Sequence, residues 1–337
     1  MNHHRLLLAT TAATATLLIS APLAVAAPDT TGAQAAAGYL TSQLVDGSHL
    51  TSEFGDQSIT ADAVLALVAA GRAEDKPAIE AMTGYLEQTA ATYTATGPEA
   101  AAKLTLVTLA TGADPAAFGG QDLPAQIKDG VAADGSFGAF PGPYASGLAM
   151  VALTRAGQEI PQPMVDWLLS GAAEGGGWGY DPSQPADADS TGMALLGLAA
   201  VPSPGDQVTA AIDAGTAWAV ANRSADGSWP GFAPVNSTAT LGSALVALGT
   251  DQPESVAYLL SQQQPDGGLA TGADGATGAD LLATAQGTLL LAGASYLDLA
   301  PAATAALAPG MEIPLWSLVG LIGLAIVAVV VVEYRRL

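Results

Sequence analysis

The stretch QPADADSTGMALLGLA, residues 184–199, places Asp187 and Asp189 two apart and follows them with Ser190 and Thr191. A carboxyl held among other carboxyls and away from water keeps its proton more tightly than usual and can act as a general acid. Asp, Ser and Thr are also the residues favoured at helix N-caps, and an apolar run follows directly. Two readings therefore stand: a proton donor at the mouth of a cavity, or a helix start. Polar residues precede the other apolar runs as well, at Ser58 and Thr60, Ser146, Thr238 and Thr240, and Thr277. That recurrence favours a structural cap. Asp187 lies too far upstream of its run to cap it and is expected at the rim.

Other chemistries are removed by composition. The chain has no cysteine, which excludes thiolate catalysis, thiolate metal sites and disulfides. His3 and His4 stand at the N-terminus, leaving His49 alone in the body. The Asp-Gly turns, such as DGSFG at 134 and DGSWPG at 226, supply too few oxygen ligands per segment for calcium, so no metal site is expected. Residues 27–312 carry 30 acidic side chains against six basic ones. Such a surface repels phosphate backbones, so nucleic acid is not a partner.

The elements that must hold these residues come from a repeat. An aromatic-Leu pair recurs at Tyr39-Leu40, Tyr85-Leu86, Trp167-Leu168 and Tyr258-Leu259, with Trp218 as a variant. A turn signal follows in most units, then an apolar run ending at Gly71, Gly112, Gly157, Val201, Gly249 and Gly293. These ends are 41, 45, 44, 48 and 44 residues apart. Each unit reads as an amphipathic helix, a loop and a helix apolar all round; a helix of the second kind belongs inside. Six hairpins of this sort close into a ring of six inner and six outer helices, or else stack as an open solenoid. Closure is preferred because no capping unit is visible. The expected fold is all-α, an α/α toroid over residues 37–293.

YLLSQQQPDGG (258–268) and AWAVANRSADGSW (217–229) resemble the aromatic-Leu…Gln…Gly-x-Trp repeats of the squalene cyclase and prenyltransferase superfamily. The resemblance spans the toroid and implies an α6/α6 barrel. Protein prenyltransferases hold zinc with Asp, Cys and His, and complement thioester domains need a reactive Cys; this chain can do neither. Triterpene cyclases protonate an alkene with the central acid of an Asp-x-Asp-Asp motif. DADS matches three of its four positions: Asp187 takes the first, Asp189 the proton-donor place, and Ser190 stands where the last Asp belongs. No Asp-Asp-x-x-Asp magnesium site is present, and aromatic residues, which line such cavities, make up only 5% of the chain.

The chain ends suggest a topology. Residues 1–26 read as a secretory signal peptide, 294–313 as a Pro/Ala stalk, 314–333 as a transmembrane helix and 334–337 as a cytoplasmic tail. The expected location is the cell membrane, single-pass, with the body outside. All inner helices run the same way, so their N-termini ring one end, where their dipoles favour negative or hydrogen-bonding ligand groups. Phe140, Tyr144, Trp178, Tyr180, Asp187, Asp189, Phe232 and Asn236 fall in the loops entering that end and form the expected ligand site. The resemblance then implies a membrane-anchored binding protein. It is closest in character to the α-barrel half of the cobalamin carriers, with cobalamin or a similar bulky ligand as cargo, no resident cofactor, and a separate β-domain or transporter as partner. The alternatives are a cyclase-like enzyme using Asp189 as acid, or a toroid for protein docking.

Overall fold

The computed structural model describes residues 29–301 apart from residue 54. Among the described residues it holds twelve α-helices and no extended strand, only isolated bridges. In chain order they are α1 (Thr30–Ser42), α2 (Asp56–Ala70), α3 (Lys76–Thr94), α4 (Pro98–Thr111), α5 (Leu123–Asp129) and α6 (Pro143–Arg155). Then come α7 (Gln162–Ser170), α8 (Ala188–Ala199), α9 (Asp206–Ala221), α10 (Pro234–Ala247), α11 (Pro253–Ser261) and α12 (Leu281–Leu291).

Even-numbered helices are inner and odd-numbered ones outer. α2 packs on α4, α4 on α6, α6 on α8, α8 on α10 and α10 on α12, and α12 returns to α2. The ring is closed, which settles the choice against an open solenoid. Closure is bonded as well as packed: Gln263 Nε2 donates to Gly32 O at 2.9 Å, across 231 residues of sequence.

The inner helices are buried on nearly every side, as their uniform apolarity requires. They pack closely because small residues face their neighbours. A Cβ on Gly147 of α6 would lie 2.0 Å from the Met193 carbonyl oxygen of α8, so only glycine permits that approach. Outer helices bury one face; α7 buries Met164, Val165 and Leu168, packs Trp167 and Leu169 at the edge of the core, and exposes Gln162, Pro163, Asp166 and Ser170.

The turns between outer and inner helices share one device. Trp178 and Trp229 wedge beneath them, fully buried, each donating its indole N–H to an outer-helix carbonyl: Leu168 O at 2.7 Å and Ala219 O at 2.8 Å. A hydroxyl one turn into the next inner helix clamps the backbone of the wedge. Thr191 Oγ1 accepts from Trp178 N at 2.9 Å, Thr238 Oγ1 from Trp229 N at 3.0 Å, and Thr284 Oγ1 from Leu269 N at 2.8 Å. Thr60 does the same for Leu50 N at 3.0 Å.

This corrects the expectation that Ser58, Thr60, Ser146, Thr238 and Thr240 are helix caps. They lie inside α2, α6 and α10, whose N-caps are Gly55, Gly142 and Ala233. Thr277 precedes the Asp280 cap of α12. Two Asp-Gly-Ser turns use the Asp carboxylate within the turn: Asp134 Oδ1 accepts from Ser136 N and Oγ at 3.0 and 2.7 Å, and Asp226 Oδ1 from Ser228 N and Oγ at 3.1 and 2.7 Å.

The domain edges also differ from expectation. α1 begins at Thr30, ahead of residue 37. Residues expected to start a stalk pack against the ring instead. Ser295, Tyr296 and Leu299 are buried, and the Arg155 guanidinium at the end of α6 donates to the carbonyls of Tyr296 and Leu299. Among the described residues no helix is long and apolar enough to cross a membrane. The expected leader at 1–26, span at 314–333 and tail lie outside the described residues.

Candidate functional site

A cavity of about 540 Å³ opens at the end of the ring where the inner helices begin. Its lining comes from the first turns of α4, α6 and α8 and from the loops before α6, α8 and α10. Of the eight expected site residues, six line it: Phe140, Tyr144, Tyr180, Asp187, Asp189 and Phe232. Glu99 and Pro230 complete the wall. Phe140, Tyr180 and Phe232 stand on the rim at 83%, 73% and 99% exposure, each on a loop that ends at an inner-helix start. Large apolar side chains left in water at one opening mark a place where an apolar surface docks.

The other two expected residues lie elsewhere. Trp178 is the wedge described above and has no exposed surface. Asn236 sits in the first turn of α10 and points along the ring wall, its Nδ2 donating to Gln286 Oε1 of α12 at 2.9 Å.

Asp187 and Asp189 have separate jobs. Asp187 is the N-cap of α8: its Oδ1 accepts from Ser190 N at 2.8 Å and its Oδ2 from Ser190 Oγ at 2.9 Å. The expectation that it lies too far upstream to cap is corrected. The helix starts at Ala188, before the apolar run, so its first turn is polar. Ser190 thus serves Asp187, not Asp189.

Asp189 turns to the cavity. Its Oδ2 accepts from Ser237 Oγ of α10 at 2.7 Å. Burial pushes its carboxyl above the ordinary aspartate value, and the neighbouring Asp187 carboxylate adds to the rise; the Ser237 and Thr240 hydroxyls pull the other way without cancelling it. A carboxyl in that setting holds a proton further toward neutrality and can deliver it to a guest.

A smaller cavity of about 240 Å³ adjoins the first and shares Glu99, Tyr144 and Ala145 with it. It covers the starts of α2, α4 and α6. Lys103 of α4 lies on its wall, with Nζ 2.9 Å from Asp62 Oδ2 and 3.2 Å from Ser58 Oγ, both on α2. Burial opposes the Lys103 charge, but Asp62 more than reverses this and the ammonium is held well above its usual value. Tyr144, between the two cavities, is pushed up to about 12 by burial, then by Asp62 and Asp189, against the pull of Lys103. Tyr296 closes the lumen from the opposite end, beside Met193, Leu196 and Gln286. Burial raises its hydroxyl well above the ordinary tyrosine value.

Ser237, Asp62, Lys103 and Tyr296 escaped the sequence reading, although the repeat carries a signal for three of them. Asp62 and Lys103 are 41 residues apart, which is the spacing between the ends of their units at Gly71 and Gly112. Asp189 and Ser237 are 48 apart, matching Val201 and Gly249. Polar residues in equal register on neighbouring inner helices meet in the lumen.

No family model and no curated protein matches the chain. Solved structures do. The type II terpene cyclase MstE from Scytonema matches with a TM-score of 0.61 at 15% identity, over 78% of this chain and 97% of that one. An MstE variant in complex with geranylgeranyl dihydroxybenzoate, its substrate, matches at 0.60 with 15% identity, over 78% and 96%. Haptocorrin in complex with Cbi matches at 0.53 with 11% identity, over 80% of this chain and 68% of that one. The fold of this chain is therefore the squalene-cyclase-like α/α toroid, shared at these identities as architecture alone.

Proposed function

We propose that the protein is a type II cyclase-like enzyme in which Asp189 is the Brønsted acid. The observation that carries this reading is the Asp189 carboxyl itself. It lines a cavity of about 540 Å³, has no cationic partner among the described residues, and is shifted by burial toward its protonated form. Its Ser237 hydrogen bond fixes one oxygen and leaves the group directed at the guest. Composition argued against a cation-stabilising cavity, yet the few aromatics concentrate here: Phe140, Tyr144, Tyr180 and Phe232 all line it. Aromatic faces attract developing positive charge.

In this reaction the Asp189 O–H bond breaks and its proton adds to the CH carbon of the terminal isoprenoid double bond, leaving the charge on the dimethyl-substituted carbon. Further double bonds of the same chain attack it in turn, each closing a ring, and loss of a proton to water ends the sequence. The product is an isomer of the substrate, and the carboxylate recovers its proton from solvent. The MstE variant that holds geranylgeranyl dihydroxybenzoate supports the substrate class.

The test is turnover of farnesol, geranylgeraniol and squalene by the full chain in deuterated water. The expected result is a cyclised isomer carrying one deuterium, absent with Asp189→Asn. Turnover that survives this substitution sinks the reading. Activity should also fall as pH rises through the raised Asp189 value, because the acid form is the reactive one.

Capture without turnover is the second reading, supported by the exposed Phe140, Tyr180 and Phe232 rim and by the likeness to haptocorrin. Cobalamin is its first candidate, with a membrane-anchored, exported placement. Calorimetric heat at a micromolar or tighter constant, with no cyclised product, would favour it.

A further inference from the structure

We infer that the smaller cavity, over α2 and α4, takes the hydroxyl-bearing, uncharged end of the ligand whose hydrocarbon lies against Asp189. The inference rests on the cyclase reading only for where the other end of the ligand goes.

Lys103 is the reason. An ammonium has three N–H donors. Two are taken by Asp62 Oδ2 and Ser58 Oγ, both from α2. The third has no partner among the described residues, and Lys103 lines the cavity. A donor there calls for an oxygen acceptor.

The surrounding charge says which oxygen. Asp62 cancels Lys103, and Glu99 adds a further carboxylate to the same wall. The Asp189 carboxyl lies in the adjoining space. A carboxylate or diphosphate entering here would meet more negative charge than positive. An uncharged hydroxyl meets no such penalty. Its oxygen accepts from Lys103, and its proton can go to Glu99 or to the hydroxyls of Tyr93 and Thr96 on the same wall. An alcohol or phenol uses both functions, whereas a ketone uses only the first. The cavity shares Glu99, Tyr144 and Ala145 with the larger one, so one elongated molecule can occupy both.

The experiment measures binding, not turnover. Dissociation constants for geranylgeraniol, geranylgeranoic acid and geranylgeranyl diphosphate are measured by calorimetry on the full chain carrying Asp189→Asn. Geranylgeraniol is expected to bind tighter than the acid and the diphosphate by about tenfold or more, because an anionic end is repelled by Glu99. The measurement is repeated with Asp62→Asn and Lys103→Met together, which removes the pair without leaving one charge buried alone. That variant, having lost the Lys103 donor, is expected to bind geranylgeraniol about tenfold more weakly, and thermal melting checks that it folds. Ser58→Ala, which keeps the pair, should retain the affinity.

Equal or tighter binding of the acid or the diphosphate overturns the inference. So does an affinity for geranylgeraniol that the double substitution leaves unchanged, or no binding of the alcohol at all. These outcomes are separate from the fate of the cyclase reading. Deuterium incorporation that depends on Asp189 can stand while the subsite falls. A hydroxyl preference without turnover keeps the subsite and removes the acid.

Discussion

Two carboxyls face the lumen from opposite sides of the ring mouth. Asp62 meets an ammonium at 2.9 Å; Asp189 meets a serine hydroxyl at 2.7 Å and no cation. Both stand on inner helices, and each bonds to the residue in equal register on the next inner helix. The partner alone separates them. One group is committed to an ion pair that ties α2 to α4. The other is left with its proton held by burial and is free to give it away. An inner-helix carboxyl is thus tied into an ion pair or left uncommitted, according to its partner on the neighbouring repeat.

Exchanging carboxylate for amide at each place is the sharpest way to break this comparison. Asp189→Asn should reduce turnover by about 10²- to 10⁴-fold, the usual worth of a positioned general acid, while the fold persists. Asp62→Asn should do the reverse. It leaves the Lys103 charge without its counter-ion and should cost about 3 kcal/mol in urea unfolding, because breaking one side of a buried pair strands the other. If both amides behaved alike, the two sides would not differ in kind.

Asp187 sharpens the contrast within one helix. Asp187→Ala removes the N-cap of α8 and should cost about 1 kcal/mol of stability. Its effect on turnover should be small beside that of Asp189→Asn, since the cap holds the helix and touches no proton in flight. Equal losses of activity at the two positions would mean that the pair acts as a unit.

The smallest expected effect is in pH. Because the Asp189 carboxyl is raised in the folded protein, the native state holds its proton where the unfolded chain has lost it. Stability should therefore fall as pH rises from the ordinary aspartate value to the raised one, then level off. Asp189→Asn should remove that slope and melt higher than the parent near neutrality. Parallel melting curves across that window would deny the shift.

The ring was legible in the chain because the apolar runs recur at nearly constant spacing and number six. The rim aromatics were legible because they fall in the loops just before those runs. The capping role of Asp187, unlike its place at the rim, is hidden for a local reason: α8 starts at Ala188 with a polar first turn, ahead of the apolar run. Trp178 stood in the expected site by its position in a loop, yet a large ring with one N–H donor is better satisfied under the turn, on the Leu168 carbonyl. Asp62 and Lys103 were overlooked since each is a single charge inside an apolar segment. Their meaning appears only when the repeats are laid over one another. Tyr296 follows the last repeat, where periodicity offers no guide.

Closure of the ring also has a consequence for how the chain acquires its structure. A solenoid can nucleate in any unit and lengthen from there. Here α1 and α2 need α12 as a wall, and Gly32 is bonded to Gln263 across 231 residues. Closing so long a loop adds little to the equilibrium cost, since each doubling of length costs only about 0.6 kcal/mol. It weighs instead on the rate, because distant contacts are rewarded last. During synthesis the first hairpin must wait, with its inner face uncovered, until the sixth has been made.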